Sequence, residues 1–492
     1  MILEVFKSLF SFGNIITMFF GMAVGTIIGA LPGLTAVMGV AILLPLTFGL
    51  PSITGMILLL SVYCGGIYGG SITAILIKTP GTPASAATVY DGYPLAQRGE
   101  GGDALYSALL SSTIGGLFSC VMLLFFAPII ARAALRFGPP EYATLALFGL
   151  TVISVATSKN AFKGLMMAGI GLLVTMIGID PIEGIPRFTF GSVHMSAGIY
   201  LIPAVLGAFA VAELLEKMAN IDVSGDNAIP FKKSKLKSRD VLRYWKTLLR
   251  SSIIGTIIGA VPGTGAAISS FLSYNEAKRT AKNPEVFGTG SIEGIVASET
   301  ANNAVTGATL IPLLTLGIPG DAVTAVMVGA LMMQGIIPGP NLFTDGSPWV
   351  YIIMGSMFLI NIVMFIEGKV FIKFFVHVTK IPVKILLGML MVLCVVGAFA
   401  TNNSLFDVGV MLVFGVVCFF MARLDYPVTP LVISLVLGNL AETNLRGSLV
   451  ISHGSLSIFV TRPLSLVFLI ITLALLVSSF VKTIRSEMKA AN

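Results

Sequence analysis

The feature that most constrains this chain is its run after run of apolar residues without charge. Ile57–Ile77, Leu117–Ile130 and Leu464–Val481 contain no Asp, Glu, Lys or Arg, and Arg132 follows the second stretch while Arg462 precedes the third. In hydrocarbon every backbone N–H and C=O must be paired within the fold, so only helices and closed barrels can cross. These runs are long and continuous instead of alternating with period two, which selects helices. The expected fold is an all-α polytopic membrane protein. A span takes about 20 apolar residues, so the 492-residue chain has room for about ten to fourteen membrane segments. The longest polar stretch runs only from Asn220 to Arg250, which leaves no room for a soluble domain.

Only 11% of residues are charged, against roughly 25% in soluble domains. The net charge of +7 sits in short loops between apolar runs, as the positive-inside rule requires. No basic surface interleaved with aromatics is visible, so nucleic acid is not expected as a partner. Cys64, Cys120, Cys394 and Cys418 lie scattered in apolar sequence and match neither disulfide nor metal spacing. The start of the chain has no polar break after a short apolar core, so no cleaved signal peptide is expected.

The sequence repeats itself. Gly25-Thr26-Ile27-Ile28-Gly29-Ala30-Leu31-Pro32-Gly33 returns 230 positions later as Gly255-Thr256-Ile257-Ile258-Gly259-Ala260-Val261-Pro262-Gly263. Ile75-Leu76-Ile77-Lys78-Thr79-Pro80-Gly81 resembles Leu314-Thr315-Leu316-Gly317-Ile318-Pro319-Gly320, 239 positions on. Two similar elements in the same order predict two halves, residues 1–219 and 241–492, joined by a basic cytoplasmic linker at 220–240. Lys232, Lys233, Lys235, Lys237, Arg239, Arg243, Lys246 and Arg250 mark that linker and its exit. Ser251–Tyr274 is flanked by Arg250 on one side and Lys278, Arg279 and Lys282 on the other, with Pro262-Gly263 at its middle. Proline removes a helix donor and glycine permits a sharp turn, so a re-entrant hairpin is expected there, one kinked span being the alternative. Charge counting places Arg98 and the linker inside and Asp180–Arg187 outside. In the second half it places Pro338–Pro348, with Asp345, outside, and Lys369–Lys384, Arg423, Lys482, Arg485 and Lys489 inside. Equivalent loops then lie on opposite faces, the pattern of two inverted repeats.

Four Pro-Gly pairs interrupt apolar sequence: Pro32-Gly33, Pro80-Gly81, Pro262-Gly263 and Pro319-Gly320. A helix broken within the membrane exposes free N–H groups at the start of its second half, where the helix dipole favours a carboxylate. The carbonyls that end the first half suit a cation. The segment Ser298-Glu299-Thr300-Ala301-Asn302-Asn303-Ala304-Val305-Thr306 puts an acid and two amides within apolar sequence. An ionised side chain at mid-bilayer costs about 3 kcal/mol or more, so Glu299 needs a partner, a proton or a wet cavity. These patterns nominate Gly33, Thr35, Lys78, Thr79, Gly81, Thr82, Gly263, Thr264, Asn302, Asn303 and Gly320 as substrate contacts. Glu299, Asn302, Thr306 and Asp321 are the candidates for coupling an ion, sodium or proton. Bland readings stand beside these: kinks at the Pro-Gly pairs, capping at Ser298 or Asn303, and a Lys78 that snorkels to an interface.

The glycine ladders at Gly21, Gly25, Gly29 and at Gly255, Gly259, Gly263 read as close helix packing without chemistry. His194, His377 and His453 are isolated, and beyond a sodium site no metal or organic cofactor is expected. Asp91 and Asp321 faintly suggest an intramembrane aspartyl protease. Asp91, however, opens an expected polar turn, Asp91-Gly92-Tyr93-Pro94, and no His-Glu-x-x-His or Gly-x-Ser-x-Gly occurs. The chain does not read as an enzyme.

At these residues the sequence resembles a known family. Gly29-Ala30-Leu31-Pro32-Gly33-Leu34-Thr35, Tyr68-Gly69-Gly70-Ser71-Ile72-Thr73-Ala74-Ile75-Leu76, Thr79-Pro80-Gly81-Thr82-Pro83-Ala84-Ser85 and Asp91-Gly92-Tyr93-Pro94 carry the likeness in the first half. Gly259-Ala260-Val261-Pro262-Gly263, Glu299-Thr300-Ala301-Asn302-Asn303-Ala304 and Leu316-Gly317-Ile318-Pro319-Gly320 carry it in the second. The chain is similar to the large membrane subunit of tripartite tricarboxylate transporters (TctA-like proteins). The resemblance implies ion-gradient-driven uptake of organic acids, tri- or dicarboxylates such as citrate, across the bacterial inner membrane. It implies two partners, a small membrane subunit (TctB-like) and a periplasmic solute-binding protein (TctC-like). No Walker sequence for ATP is present. The alternative is a passive channel or exporter of organic anions that needs no binding protein.

Overall fold

The computed structural model describes residues 2–31, 33–157, 160–219, 234–344, 348–378 and 383–491. Pro32, most of the linker with Lys232 and Lys233, and Asp345 lie outside the described residues, as do the side chains of Lys384, Lys482, Arg485 and Lys489. Sixteen helices matter here. In chain order they are α1 (Phe12–Gly29), α2 (Ala36–Leu43), α3 (Ser52–Ile77), α4 (Val89–Leu95), α5 (Gly101–Ala134), α6 (Pro139–Ala156), α7 (Ala161–Thr175) and α8 (Trp245–Ala260). They continue as α9 (Gly265–Thr280), α10 (Ile292–Ala308), α11 (Leu310–Leu316), α12 (Ala322–Met333), α13 (Trp349–Val378), α14 (Leu405–Arg423), α15 (Val428–Ile451) and α16 (Pro463–Ala491). Eight helices among the described residues are long and apolar enough to cross a membrane, and four shorter apolar ones accompany them. The sheet content described is a two-residue antiparallel ladder, β1 (Gly178–Ile179) with β2 (Pro186–Arg187). The chain is therefore an all-α polytopic membrane protein, as its apolar runs dictate.

Two compact units divide the chain. The first combines Met1–Ala131 with Glu216–Gly397, and the second combines Arg132–Leu215 with Ala398–Asn492.

In the first unit the glycine ladders do what their spacing promised. A Cβ on Gly25 would fall 2.8 Å from Val62 Cα and 3.0 Å from the Gly66 nitrogen, so α1 lies backbone to backbone on α3. On the equivalent face of α8, Cβ atoms on Gly255 and Gly259 would stand 2.6 Å from Ala304 Cβ and 2.8 Å from Ala308 Cβ of α10. Small residues thus replace the missing hydrophobic driving force with close van der Waals packing. At the end of each ladder the helix stops. Gly33 and Gly263 take φ of +81° and +82°, a region open to glycine, and the chain turns back into α2 and α9. The second turn is a hairpin: Ser273 Oγ donates to Ser251 Oγ at 2.7 Å, and Arg250 Nη1 donates to Thr280 Oγ1 at 2.6 Å. Both arms therefore start and finish at the same end, so this segment is a helical hairpin and not one kinked span.

One sequence expectation for this unit was wrong. Asp91-Gly92-Tyr93-Pro94 is no polar turn; it lies within α4, and Asp91 is fully buried. Its Oδ1 accepts from the backbone N–H groups of Gly288, Gly290 and Ser291 at 2.8, 2.8 and 2.7 Å, and its Oδ2 from Tyr274 at 2.8 Å. The polar tetrapeptide is hydrophilic because it holds a loop 200 residues away, not because it faces water.

The second unit is pinned by charges at its β1–β2 loop. Arg446 of α15 reaches Asp180 at 2.6 Å, Glu183 at 2.7 Å and Glu442 at 3.3 Å, and Arg187 closes the set on Glu442. The Arg446 guanidinium, helped by the Ile182 N–H, holds the Asp180 carboxyl down from its ordinary 3.8 to about 2. A carboxylate with a depressed folded pKa stabilises fully above its unfolded value and loses that contribution as pH falls through the folded one. The loop should therefore stay fixed from neutral pH down to about pH 4 and loosen between about pH 4 and pH 2. A nitroxide at the exposed Ile182 (Ile182→Cys) would report this by electron paramagnetic resonance. Loosening already complete above about pH 5 would contradict the Asp180 assignment.

Candidate functional site

The first unit gathers the interrupted helices. Gly263 N–H donates to the Gly320 carbonyl at 2.7 Å, so the break after α8 and the break before α12 are bonded directly. In the other pair Gly81 N–H donates to Gly70 O at 3.3 Å. A Cβ on Gly81 would lie 2.9 Å from Gly70 Cα, and one on Gly320 would lie 2.8 Å from Thr309 Cα. Residues 70 and 309, like 81 and 320, are 239 apart. The same offset relates the pairs that follow each break. Thr82 Oγ1 lies 3.4 Å from Ser85 Oγ, and Asp321 Oδ1 accepts from Thr324 N and Oγ1 at 2.8 Å each. The repeat read from sequence is thus a repeat of local geometry.

Asp321 is the N-cap of α12, since the helix leaves its first donors unpaired and a carboxylate satisfies them. Its Oδ2 also accepts from the Tyr63 hydroxyl of α3 at 2.7 Å, and Tyr63 stands 3.3 Å from Thr309 Oγ1. From there a line of polar groups runs back along α10. Thr309 Oγ1 donates to Thr306 O at 3.2 Å, and Thr306 Oγ1 to Asn303 O at 2.7 Å. Asn303 Nδ2 then donates to Glu299 O at 3.1 Å and to Ser112 Oγ of α5 at 2.8 Å. Glu299 is wholly buried. Its carboxylate accepts from Thr88 Oγ1 at 2.5 Å and Ser112 Oγ at 3.2 Å. The Asn302 amide faces that carboxylate without reaching hydrogen-bond geometry, and neither of its polar atoms has a partner among the described residues. The structure thus links Glu299, Asn303, Thr306 and Asp321 through groups from both halves, with Asn302 beside them.

The remaining predicted residues are spread over the other tips. Thr35 caps α2 by accepting from Met38 N at 3.3 Å. Thr264 turns inward on its own hairpin, donating to Ile258 O at 2.5 Å and Val261 O at 2.9 Å. Thr82 is buried, whereas Lys78 and Thr79 are exposed. Lys78 ends α3 with φ of +61°, and its ammonium lies 5.7 Å from the centre of the Tyr93 ring. The Lys217 ammonium packs where a side chain at Gly33 would stand, a cation at the first tip that the sequence did not single out. Tyr63, Thr88 and Ser112 were missed as well. Each sits in apolar or small-residue sequence with no local signal, and only the partner across the fold gives it a role. Among the described residues no group of three or more His, Cys, Asp or Glu side chains is arranged to hold a metal.

Fold and site together define a multi-pass membrane protein whose interior is built from helices interrupted in repeated pairs. Comparison with known proteins carries this further: the model of the tripartite tricarboxylate transporter TctA family matches residues 15–433, and the chain belongs to that family. It is 38% identical over 477 residues to an uncharacterized 52.8 kDa protein in the TAR-I ttuC' 3'region of Agrobacterium vitis, covering 96% of this chain and 94% of the relative. It is also 36% identical over 233 residues to an uncharacterized protein in the TAR-II ttuC' 3'region of the same organism, covering 47% of this chain and 96% of the relative. No solved structure matches the chain.

Proposed function

We propose that this chain is the large translocating subunit of an ion-gradient-driven importer of organic acids, tri- or dicarboxylates such as citrate, in a bacterial inner membrane. In this reading a periplasmic solute-binding protein delivers the acid and a small membrane subunit completes the complex. Residues 1–219 and 241–492 form the inverted repeats, with 220–240 as the cytoplasmic linker. The broken helices at Gly33, Gly81, Gly263 and Gly320 gather around the substrate, which draws on N–H groups other than those of Gly81 and Gly263, already bonded to Gly70 and Gly320, and on Thr35, Thr82, Thr264 and Asn302. Lys78, Thr79 and Lys217 supply polarity and positive charge nearer the openings. Glu299, with Asn302, Thr306 and Asp321, takes sodium or a proton.

The observation that carries this reading is the row of buried polar groups from Glu299 to Asp321, which ends beside the directly bonded Gly263 and Gly320 tips. A coupling carboxylate and a helix-break anion site gain from such a connection, because occupancy at one end alters the hydrogen bonds at the other. It also favours a coupled importer over a passive pore, which needs no buried acid. The test is uptake of labelled citrate and smaller dicarboxylates by cells making this chain with and without the binding protein and small subunit. Uptake should require all three chains and collapse when the sodium and proton gradients are dissipated. Flux that persists without either would support the channel or exporter.

A further inference from the structure

The hydrogens around Glu299 can be counted. Thr88 Oγ1, just before α4, lies 2.5 Å from Glu299 Oε1 and 3.0 Å from Ser298 Oγ. Ser298 Oγ lies 3.0 Å from the Gly294 carbonyl oxygen and 3.2 Å from that of Ile295. All three side chains are wholly buried, where an unmet polar contact is costly. Ser298 must keep its hydrogen on its own helix, because its oxygen otherwise meets two carbonyl oxygens lone pair to lone pair. If Glu299 is ionised, Thr88 gives its hydrogen to the carboxylate, and the contact between Thr88 and Ser298 has none. A hydrogen on Glu299 Oε1 completes the row: Glu299 donates to Thr88, Thr88 to Ser298, and Ser298 to Gly294. The other oxygen needs no such hydrogen. Ser112 Oγ accepts from Asn303 Nδ2 at 2.8 Å, which frees its own hydrogen for Glu299 Oε2 at 3.2 Å.

The surroundings favour the same neutral acid. Among the described residues no basic side chain is paired with Glu299, and a charge buried without a partner neutralises by taking up a proton. A sodium ion would need several oxygens opened around a common centre. Here the hydroxyls close on the carboxyl instead. Asn302 fits as well, since both its amide atoms are buried without a partner among the described residues. Beside an acid whose hydrogen goes to Thr88 the amide has nothing to bond, and once the proton leaves its Nδ2 has a carboxylate to donate to. Tyr68 of α3 is the titratable neighbour, its hydroxyl buried and unpartnered among the described residues. Asp91 of α4 and Tyr274 of α9 are bonded to each other, Cys120 of α5 meets Asn361, and Glu293 of α10 takes the Thr247 hydroxyl of α8. The bases of α8 and α9 are exposed or paired with Glu276. We infer that the coupling ion is a proton, carried on Glu299 Oε1, with Asn302 as the donor that stabilises the ionised form. Its use in transport rests on the importer reading; its place rests on the hydrogen count.

The test is infrared difference spectroscopy of the full chain in lipid, titrated from acid to alkaline pH in sodium and in potassium salts. At neutral pH the parent should show an acid carbonyl band that Glu299→Gln lacks. That band should fade as pH rises and be the same in both salts. Asn302→Ala should raise the pH midpoint of its loss by about one unit or more, the worth of one hydrogen bond to a charged group. Thr88→Val removes the acceptor of the acid hydrogen and should move the band to higher frequency. No such band at neutral pH, a band that sodium removes at constant pH, or an unmoved midpoint in Asn302→Ala would each overturn the proposal. The salt comparison needs no variant, so a substitution that fails to fold leaves it decisive. Citrate uptake with the partner chains separates this inference from the importer reading. A proton gradient without sodium should drive it, and uptake driven by a sodium gradient alone would overturn the proton while the importer stands. Uptake under neither gradient would overturn the importer, with the infrared band still deciding whether Glu299 holds the proton.

Discussion

Asp91→Ala is expected to destabilise the first unit by about 3 kcal/mol or more, a loss readable as a large fall in melting temperature in detergent. The carboxylate satisfies three backbone N–H groups of the 288–291 loop and the Tyr274 hydroxyl, all with one buried side chain. Removing it strands the buried Ser291 N–H and Tyr274 hydroxyl, each unmet buried group costing about 1–3 kcal/mol, while the exposed Gly288 can turn to water. Asp91→Asn should recover only part of the loss, since its amide replaces one acceptor oxygen with a donor. The effect should also propagate, because the loop leads directly into α10 and Glu299. An Asp91→Ala variant that melts with the parent would show that the loop is held by something else.

Asp91 also shows the limit of reading this fold from sequence. The existence of helices, their interruption at glycine and the backbone-close pairing along the ladders follow from local rules, and the sequence displays them openly. Apolar length, Pro-Gly and four-residue glycine spacing are all short-range signals. A polar tetrapeptide carries no such signal for its partner. Beside apolar runs, Asp91-Gly92-Tyr93-Pro94 has the composition of a surface turn, and only the loop at 288–291 explains why it is buried. Glu299 was recognisable because a charge inside apolar sequence demands an explanation, yet its donors Thr88 and Ser112 lie 211 and 187 residues away. Repeat halves could be aligned from two motifs, while the structure extended the 239-residue offset to Gly70 with Thr309 and to the Thr82–Ser85 and Asp321–Thr324 pairs. Division into compact units was not legible at all. Each unit joins segments from both halves, and the boundaries near 131, 215 and 397 fall within helices and not in loops.

The largest functional effects are expected from Glu299→Gln and Asn303→Ala. Glu299→Gln preserves shape but removes the charge and turns one acceptor into a donor facing Thr88 or Ser112, so a coupling role fails while the helix survives. Asn303→Ala removes the amide that ties Ser112 to the Glu299 backbone, loosening the first link of the line toward Asp321. Gradient-driven uptake should fall by about ten-fold or more in each, the worth of a charge-assisted hydrogen bond. If the two residues act as one unit, the double variant should lose little more than either single change.

The decisive measurement is the initial rate of citrate uptake, with the partner chains present, for the parent, Glu299→Gln, Asn303→Ala and the double variant at equal membrane insertion. The expected result is a steep, non-additive loss in all three variants. Parent-like rates in both single variants would contradict the assignment of the buried Glu299–Asp321 line as the place where ion and substrate are coupled.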